Sequence, residues 1–109
     1  MTQGYSVRLT VHAVSDIEDI YTYIAKQDGV EKANHILCRI EKTIASLASL
    51  LERGVYPKEL AVLGIHDYRE VFFKPYRIVY SIRKKTIFIL LLADGRRDMQ
   101  TALQRRLLQ

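Results

Sequence analysis

Residues 68–80 read YREVFFKPYRIVY, and this stretch decides the fold. Apolar side chains recur at every second position on both sides of Lys74-Pro75, which is typical of two strands joined by a tight turn. Residues 86–93, TIFILLLA, follow a basic turn at 83–85 and are almost wholly apolar, as in a strand buried on both faces. Short connections join antiparallel neighbours, so a meander is expected. The three predicted strands are 67–73, 76–82 and 86–93.

The N-terminal half carries a different periodicity. Residues 5–11 alternate apolar and polar side chains, which predicts a half-exposed strand. Residues 13–26 and 31–53 place apolar side chains three and four positions apart, which predicts two amphipathic helices separated by a break that ends at Gly29. Ser15 and Asp16 are the predicted N-cap of the first helix, and Gly54 the residue after the second.

The order β-α-α-β-β-β-α keeps helices and strands apart. The chain is therefore predicted to be α+β: an N-terminal strand, a helical hairpin packed on an antiparallel sheet, and a short C-terminal helix begun by Asp98. A length of 109 residues matches one domain, spanning 1–109.

The charge is concentrated at one end of the chain. Residues 1–68 carry 7 Lys+Arg and 9 Asp+Glu, whereas residues 69–109 carry 10 Lys+Arg and 3 Asp+Glu. The formal net charge of +5 therefore arises entirely from the C-terminal part. Such an imbalance favours an acidic partner, such as nucleic acid, a ribosome, an acidic protein segment or a membrane surface.

Several chemistries lack their sequence signatures. There is no glycine-rich phosphate loop, no Cys-x-x-Cys and no clustered histidine spacing, so we expect no metal and no cofactor. The single Cys38 excludes a disulfide framework, suits a reducing cytosol, and is predicted to be a buried, inert thiol. No apolar run approaches the ~20 residues of a membrane span. A cytoplasmic protein is expected.

Arginines form the informative group. Arg69 and Arg77 lie in neighbouring predicted strands, and Arg96 and Arg97 follow the last strand. In an antiparallel meander Arg69, Arg77 and Arg97 could converge on one face, with Lys74 at its rim. Guanidinium groups bind phosphates and carboxylates bidentately, and tyrosines such as Tyr76 can stack on bases.

Each of these features also has a purely structural explanation. Arg77 could form a bridge to Glu70 or Asp98, and Tyr80 has the parity of a core residue. The acids at 16–19 are interpreted as solvated charges at a helix start, and the basic turn at 83–85 as a solvated turn.

These segments resemble the RelE/ParE superfamily of toxins from bacterial type II toxin–antitoxin systems. The likeness runs through residues 5–10, 16–25, 68–80, 87–92 and 94–98, which is nearly the whole chain. The resemblance implies a toxin that stops growth when its antitoxin is degraded. RelE-like members cut mRNA on the ribosome, and ParE-like members act on DNA gyrase.

The resemblance also assigns roles residue by residue. Arg77 and Arg97 match the family's mid-strand and post-strand arginines, which would be catalytic in an mRNA interferase. Arg69 falls at a basic position of RelE-like toxins, but Val71 and Thr101-Ala102-Leu103 replace the second lysine and the C-terminal tyrosine. Without Tyr or His there is no evident group to take the 2′-OH proton.

The prediction is therefore a ParE-like toxin that inhibits gyrase, with an mRNA interferase and an interaction module without toxicity as alternatives. Target binding is assigned to Arg69, Lys74, Tyr76 and Arg96. The expected partners are a cognate antitoxin and either gyrase or ribosome-bound mRNA. The antitoxin is expected to dock an amphipathic helix on apolar residues of the helical hairpin or of the last helix, such as Leu103 and Leu107.

Overall fold

The computed structural model describes residues 5–50 and 52–108. A four-stranded sheet has the strand order β1-β4-β3-β2, in which β1 runs parallel to β4 and the other neighbours are antiparallel. The elements are β1 Ser6–Leu9, α1 Val11–Asp28, α2 Val30–Ser46, α3 Lys58–Ala61, β2 Arg69–Phe73, β3 Tyr76–Arg83, β4 Thr86–Asp94 and α4 Met99–Leu107. The predicted α+β order is confirmed, and the short α3 is an addition that the sequence pattern did not reveal.

Helices cover both faces of the sheet. The α1–α2 hairpin packs Ala13, Ile40 and Ile44 against one face, where Ile78 and Tyr80 are fully buried. On the other face, α3 and α4 form a second core whose buried members are Leu60, Val79, Leu91, Ala93, Met99 and Leu103. Each apolar stripe is therefore buried against the sheet, which stabilises helices that would be marginal alone.

A β-bulge in β4 allows one strand to serve both cores. Tyr80 pairs with Ile89 and Val79 with Leu91, which leaves Leu90 as the extra residue. Because a bulge shifts the alternation by one position, Ile89 faces the hairpin while Leu91 faces α4. Ile87, Ile89, Leu91 and Leu92 are buried, whereas Phe88 and Leu90 are half-buried, so the predicted burial on both faces holds for only part of the run at 87–92.

The ends of the hairpin helices differ from prediction. The N-cap of α1 is Thr10, whose Oγ1 accepts a hydrogen bond from the Ala13 amide at 3.1 Å, so the predicted Ser15 and Asp16 cap is wrong. The second helix ends at Ser46, seven residues before Arg53. The amides of residues 47–49 bond carbonyls three positions earlier, and the Ala48 carbonyl accepts from the Tyr5 amide just before β1. A continued helix would lose this contact.

Gly54 does not end that helix; it lies against the sheet. Its amide donates to the Tyr80 Oη at 3.0 Å. A Cβ at this position would lie 2.6 Å from that oxygen and 2.6 Å from the Glu70 carbonyl oxygen, so only glycine fits without displacement. Leu51, predicted to extend the apolar stripe, lies outside the described residues.

Two further predictions about single residues have clear outcomes. Cys38 is exposed on α2, so the prediction of a buried thiol is wrong. Asp98 caps α4 as predicted, with its carboxylate accepting from the Thr101 amide at 3.1 Å and from the Thr101 hydroxyl at 2.7 Å. No helix within residues 5–50 and 52–108 has the length and apolarity needed to cross a membrane.

Candidate functional site

The buried Arg77 is held by two carboxylates. Its Nε donates to Glu70 Oε1 at 2.7 Å and its Nη2 to Glu70 Oε2 at 3.0 Å. Nη1 and Nη2 donate to the Glu59 carboxylate at 2.9 and 2.7 Å. The structural explanation with Glu70 as partner is therefore confirmed, while Glu59 in α3 is a second partner that the sequence did not suggest. Four of the five guanidinium donors of Arg77 are engaged inside the protein.

The two carboxylates respond oppositely to the same arginine. The hydrogen bonds from Arg77 lower the pKa of Glu59, which outweighs the effect of its partial burial. Glu70 is only 3% exposed, and burial raises its pKa despite its bonds to Arg77. The bonds from Glu59 raise the pKa of Arg77, so this guanidinium stays charged. Its stem packs against Gly95, where a Cβ would lie 2.8 Å from Arg77 Cδ.

Arg69 lies on the opposite side of the sheet from Arg77. Successive strand residues point to opposite faces, and Arg77 bonds Glu70, the neighbour of Arg69 in β2. The Arg69 guanidinium stacks over Tyr56 at 4.7 Å and donates to the Gly54 carbonyl at 2.9 Å. The predicted convergence of Arg69, Arg77 and Arg97 on one face is therefore wrong, because the parity of β2 and β3 separates the first two.

Three of the predicted site residues do come together. Tyr76, Arg96 and Arg97 line a cavity of about 340 Å³ at the C-terminal end of β4, and Tyr23 of α1 also lines it. Arg96 is 79% exposed at its side chain and pairs with Asp94, which lowers the pKa of that carboxyl to about 2. Burial raises the pKa of the Tyr76 phenol, so it stays protonated and able to donate a hydrogen bond.

This cavity continues into a larger one of about 640 Å³ between α1 and α4. The two share Asp16, Asp19, Leu92 and Arg97, so they form one groove along the open edge of β4. We call it the β4-edge groove. Its far end is lined by His12, Arg105 and Arg106. Neither Arg97 nor Arg105 has an acidic partner within 4.0 Å in the part of the chain that the structure describes.

An ion pair that the sequence did not suggest closes the strand edge beneath this groove. The parallel pairing of β1 stops at Ile89, so the next backbone groups of β4 have no strand partner on that side. The Asp16 carboxylate accepts from the Leu92 amide at 2.9 Å and from Arg106 Nη1 at 2.9 Å, and Arg106 also donates to the Leu90 carbonyl at 2.7 Å. Asp16 is therefore structural, and its interpretation as a solvated helix-start charge is wrong.

The remaining predicted site residues lie outside the groove. Lys74 is exposed in the turn between β2 and β3. Leu103 is completely buried in the core under α4, and Leu107 packs against that core. Leu103 does not fit the expected antitoxin-docking surface, because its side chain is buried where it packs α4 against the sheet. Among residues 5–50 and 52–108, no group of three or more His, Cys, Asp or Glu side chains is placed to hold a metal ion.

Comparisons with known proteins agree with this architecture. Residues 7–99 match the family described as "ParE toxin of type II toxin-antitoxin system, parDE". A solved structure described as "Chromosomal ParDE TA system from P. aeruginosa" superposes with a TM-score of 0.72 at 22% identity, covering 85% of this chain and 98% of that one. At that identity the likeness shows the fold alone. No curated protein matches the sequence.

The α+β fold and the family match together define a toxin of a type II toxin–antitoxin system. The chain belongs to the ParE toxin family. The membership of a toxin family that residues 5–98 suggested is confirmed. A toxin–antitoxin system implies an antitoxin as partner.

Proposed function

We propose that this toxin arrests growth by inhibiting DNA gyrase and that it does not cleave mRNA. The observation that carries the choice is the burial of Arg77 between Glu59 and Glu70. An mRNA interferase needs cations that reach the phosphate as charge develops on it in the transition state. Arg77 offers that phosphate at most one free N–H, and two carboxylates compensate its charge.

The β4-edge groove presents exposed charged and hydrogen-bonding side chains that a protein target can bind. Arg97 and Arg105 form no ion pair within 4.0 Å among the described residues, and the longer-range charges of Asp94 and Asp98 act on them. Arg96 and Tyr76 add a forked donor and a phenol at the same end. Charged side chains around a partly apolar groove favour oriented protein association and fast encounter. We assign target binding to Arg96, Arg97 and Tyr76. The roles of Arg69 and Lys74, which lie elsewhere, stay predictions.

The cognate antitoxin is proposed to cover the same groove. Its acidic side chains would neutralise Arg97 and Arg105 and would thereby block the target surface. Co-expression of the toxin with its antitoxin should yield a complex in which Arg97 and Arg105 are protected from modification by an arginine-selective dicarbonyl reagent. Equal modification of both arginines in the free toxin and in the complex would place the antitoxin elsewhere.

One observation favours the alternative of an mRNA interferase. His12 lines the groove with Arg97 and Arg105, so an imidazole and two cations share one cavity. Histidine is the commonest general base near neutral pH, and this position in α1 substitutes in principle for the absent C-terminal tyrosine. In that case His12→Ala would abolish cleavage of mRNA on translating ribosomes.

A paired assay tests the proposal. Purified toxin is added to gyrase with relaxed plasmid, and separately to translating ribosomes with labelled mRNA. We expect loss of supercoiling with intact mRNA. The double variant Arg96→Ala, Arg97→Ala should inhibit gyrase about tenfold or more weakly, because each charge-assisted contact contributes about 1.5–3 kcal/mol. Lys32→Ala, Lys42→Ala removes the same charge from α2 and is the matched control. Full supercoiling at excess toxin, or cleaved mRNA, would overturn the proposal.

A further inference from the structure

The end of the sheet farthest from the β4-edge arginines carries a second group of cations. Arg83 ends β3, Lys84 and Lys85 form the β3–β4 connection, and Arg8 lies in the edge strand β1. The pairing of Ser6 with Thr86, and of Thr86 with Arg83, brings β1 to this same end of the sheet. We call Arg8, Arg83, Lys84 and Lys85 the turn-end surface.

The strand registers place Arg8 and Arg83, both exposed, on the face opposite the hairpin, where Phe88 is half-buried and Ser81 is buried. Arg8 pairs with Phe88, and Phe88 with Ser81; the next row is Ser6, Thr86 and Arg83. These rows lie opposite the hairpin, because the alternate residues Val7, Ile87 and Ile82 pack into the hairpin core. The second core, under α3 and α4, draws its β4 members from Leu91 and Ala93, beyond the bulge.

The charges of the turn-end surface are unpaired in the described part of the chain. None of its four cations comes within 4.0 Å of a carboxylate there, whereas Arg77, Arg96 and Arg106 are each paired. Residues 81–93 contain no acid at all. Glu52 and Asp67 line a cavity with Arg83 without forming an ion pair with it, and Arg8, Lys84 and Lys85 do not line that cavity.

The turn itself sets the backbone of Lys84. Lys84 occupies the first position of a two-residue hairpin loop with φ +55°, a conformation that such loops require at this position. The turn therefore places two adjacent lysines, Lys84 and Lys85, at the tip of the hairpin.

We propose that the turn-end surface binds the phosphate backbone of duplex DNA. Strand spacing sets Arg8 and Arg83 about 10 Å apart across the sheet and about 7 Å along it, so the cations can contact several phosphates of one duplex. The inference rests on the proposed function, because gyrase acts on DNA. A toxin that binds both gyrase and the DNA beside it has two points of attachment to the same complex.

Counterion release makes the proposal quantitative. Four phosphate contacts predict that log K falls with log salt concentration at a slope of about −3.6. Affinity should then drop about 150-fold between 50 and 200 mM salt. With only Arg83 left, the slope should be about −0.9 and the drop about 3.5-fold. These values apply to any sequence of duplex, since backbone contacts carry no base information.

The test measures binding of the full-length toxin to a short fluorescent DNA duplex by anisotropy, without gyrase, across a salt series. The variant Arg8→Gln, Lys84→Asn, Lys85→Gln removes three cations, and asparagine accepts the positive φ. The control Lys26→Gln, Lys32→Gln, Lys42→Gln removes three exposed lysines from α1 and α2, so both variants have a formal net charge of +2. Matching circular dichroism and melting temperatures establish that both fold.

We expect the control to keep the steep salt dependence and the turn-end variant to lose it. Equal loss in both variants would show unspecific attraction and overturn the proposal. Binding of polyglutamate in place of DNA, with the same dependence on Arg8, Lys84 and Lys85, would assign the surface to an acidic protein and overturn it too. A toxin that inhibits gyrase but does not bind the duplex overturns this inference alone and leaves the proposed function standing.

Discussion

Arg106 in α4 and Asp16 in α1, ninety residues apart in the chain, meet in an ion pair with Nη1···Oδ2 at 2.9 Å and together close the open edge of β4. Each also bonds the strand backbone, Asp16 at the Leu92 amide and Arg106 at the Leu90 carbonyl. Unpaired strand edges invite further pairing, so this arrangement also protects the sheet from adding another strand.

Removing either partner should destabilise the fold. Arg106→Ala leaves the Leu90 carbonyl without its donor, and Asp16→Ala leaves the Leu92 amide without its acceptor. Each substitution is expected to cost about 1–3 kcal/mol in the free energy of unfolding, measured by urea denaturation. The double variant should cost less than the sum, because the two side chains bond each other. Strict additivity would show that the ion pair contributes nothing beyond its two backbone bonds.

The Arg77 network should be far more sensitive than a surface pair. Arg77→Met leaves Glu59 and Glu70 uncompensated and is expected to lower the free energy of unfolding by about 3–5 kcal/mol. Adding Glu70→Gln to Arg77→Met should recover part of that loss, since the most deeply buried charge is then gone. The measurement is chemical denaturation of the three proteins. A loss below about 1 kcal/mol for Arg77→Met would contradict the buried network.

Loss of toxicity in an Arg77 variant would therefore not identify a catalytic residue. A variant of Arg97, which is exposed, separates folding from function more cleanly. Its stability should stay within about 0.5 kcal/mol of the parent protein, as for surface substitutions generally.

The Asp94–Arg96 ion pair should make the stability of the protein depend on pH in the acid range. The pKa of Asp94 is lowered from 3.8 to about 2, so its stabilising contribution is complete above pH 3.8 and disappears as the pH falls through 2. Arg96→Gln should return the Asp94 pKa towards 3.8, as followed by carboxyl NMR titration. Arg105→Gln, a charge change without contact to Asp94, should leave that titration close to the parent curve. An unchanged Asp94 pKa in Arg96→Gln would contradict the pairing.

Gly54 offers a test of packing at the edge of β2. Gly54→Ala places a methyl group 2.6 Å from two oxygens, one of which belongs to the backbone of Glu70. We expect a loss of about 1–3 kcal/mol in the free energy of unfolding, typical of overpacking. Gly64→Ala is a comparison variant with open space around the Cβ, although its φ of +77° adds strain of its own. A Gly54→Ala protein as stable as the parent would show that Tyr80 can move aside.

Particular elements show how far local pattern carried the prediction. The three C-terminal strands were predicted within two residues at each end, because alternation and the two short turns are local signals. The capping of α4 by Asp98 was predicted for the same reason. The end of the second helix was missed, because its apolar spacing continues after Ser46 while the backbone turns away to let Ala48 bond Tyr5.

The candidate site depended more on tertiary contacts than on local sequence pattern. Sequence reasoning named Tyr76, Arg96 and Arg97, which share the groove, since Arg96 and Arg97 follow a strand end and Tyr76 begins the neighbouring strand. It did not name Glu59, because α3 lies in a stretch without helical periodicity. It interpreted Asp16 as a solvated charge and gave His12 no role, because no local signal connects α1 with the edge of β4.

The sequence by itself determined the order and type of the elements, the family, and the concentration of positive charge after residue 68. These follow from periodicity, turn residues and composition, which act over a few neighbouring positions. Only the tertiary structure decided which arginines are available. Strand parity places Arg69 and Arg77 on opposite faces, and the bulge at Leu90 places Ile89 and Leu91 in different cores. Whether a guanidinium is paired with a carboxylate or open to a partner depends on such long-range contacts, because an ion pair forms between groups that are close in space and needs no closeness in the chain.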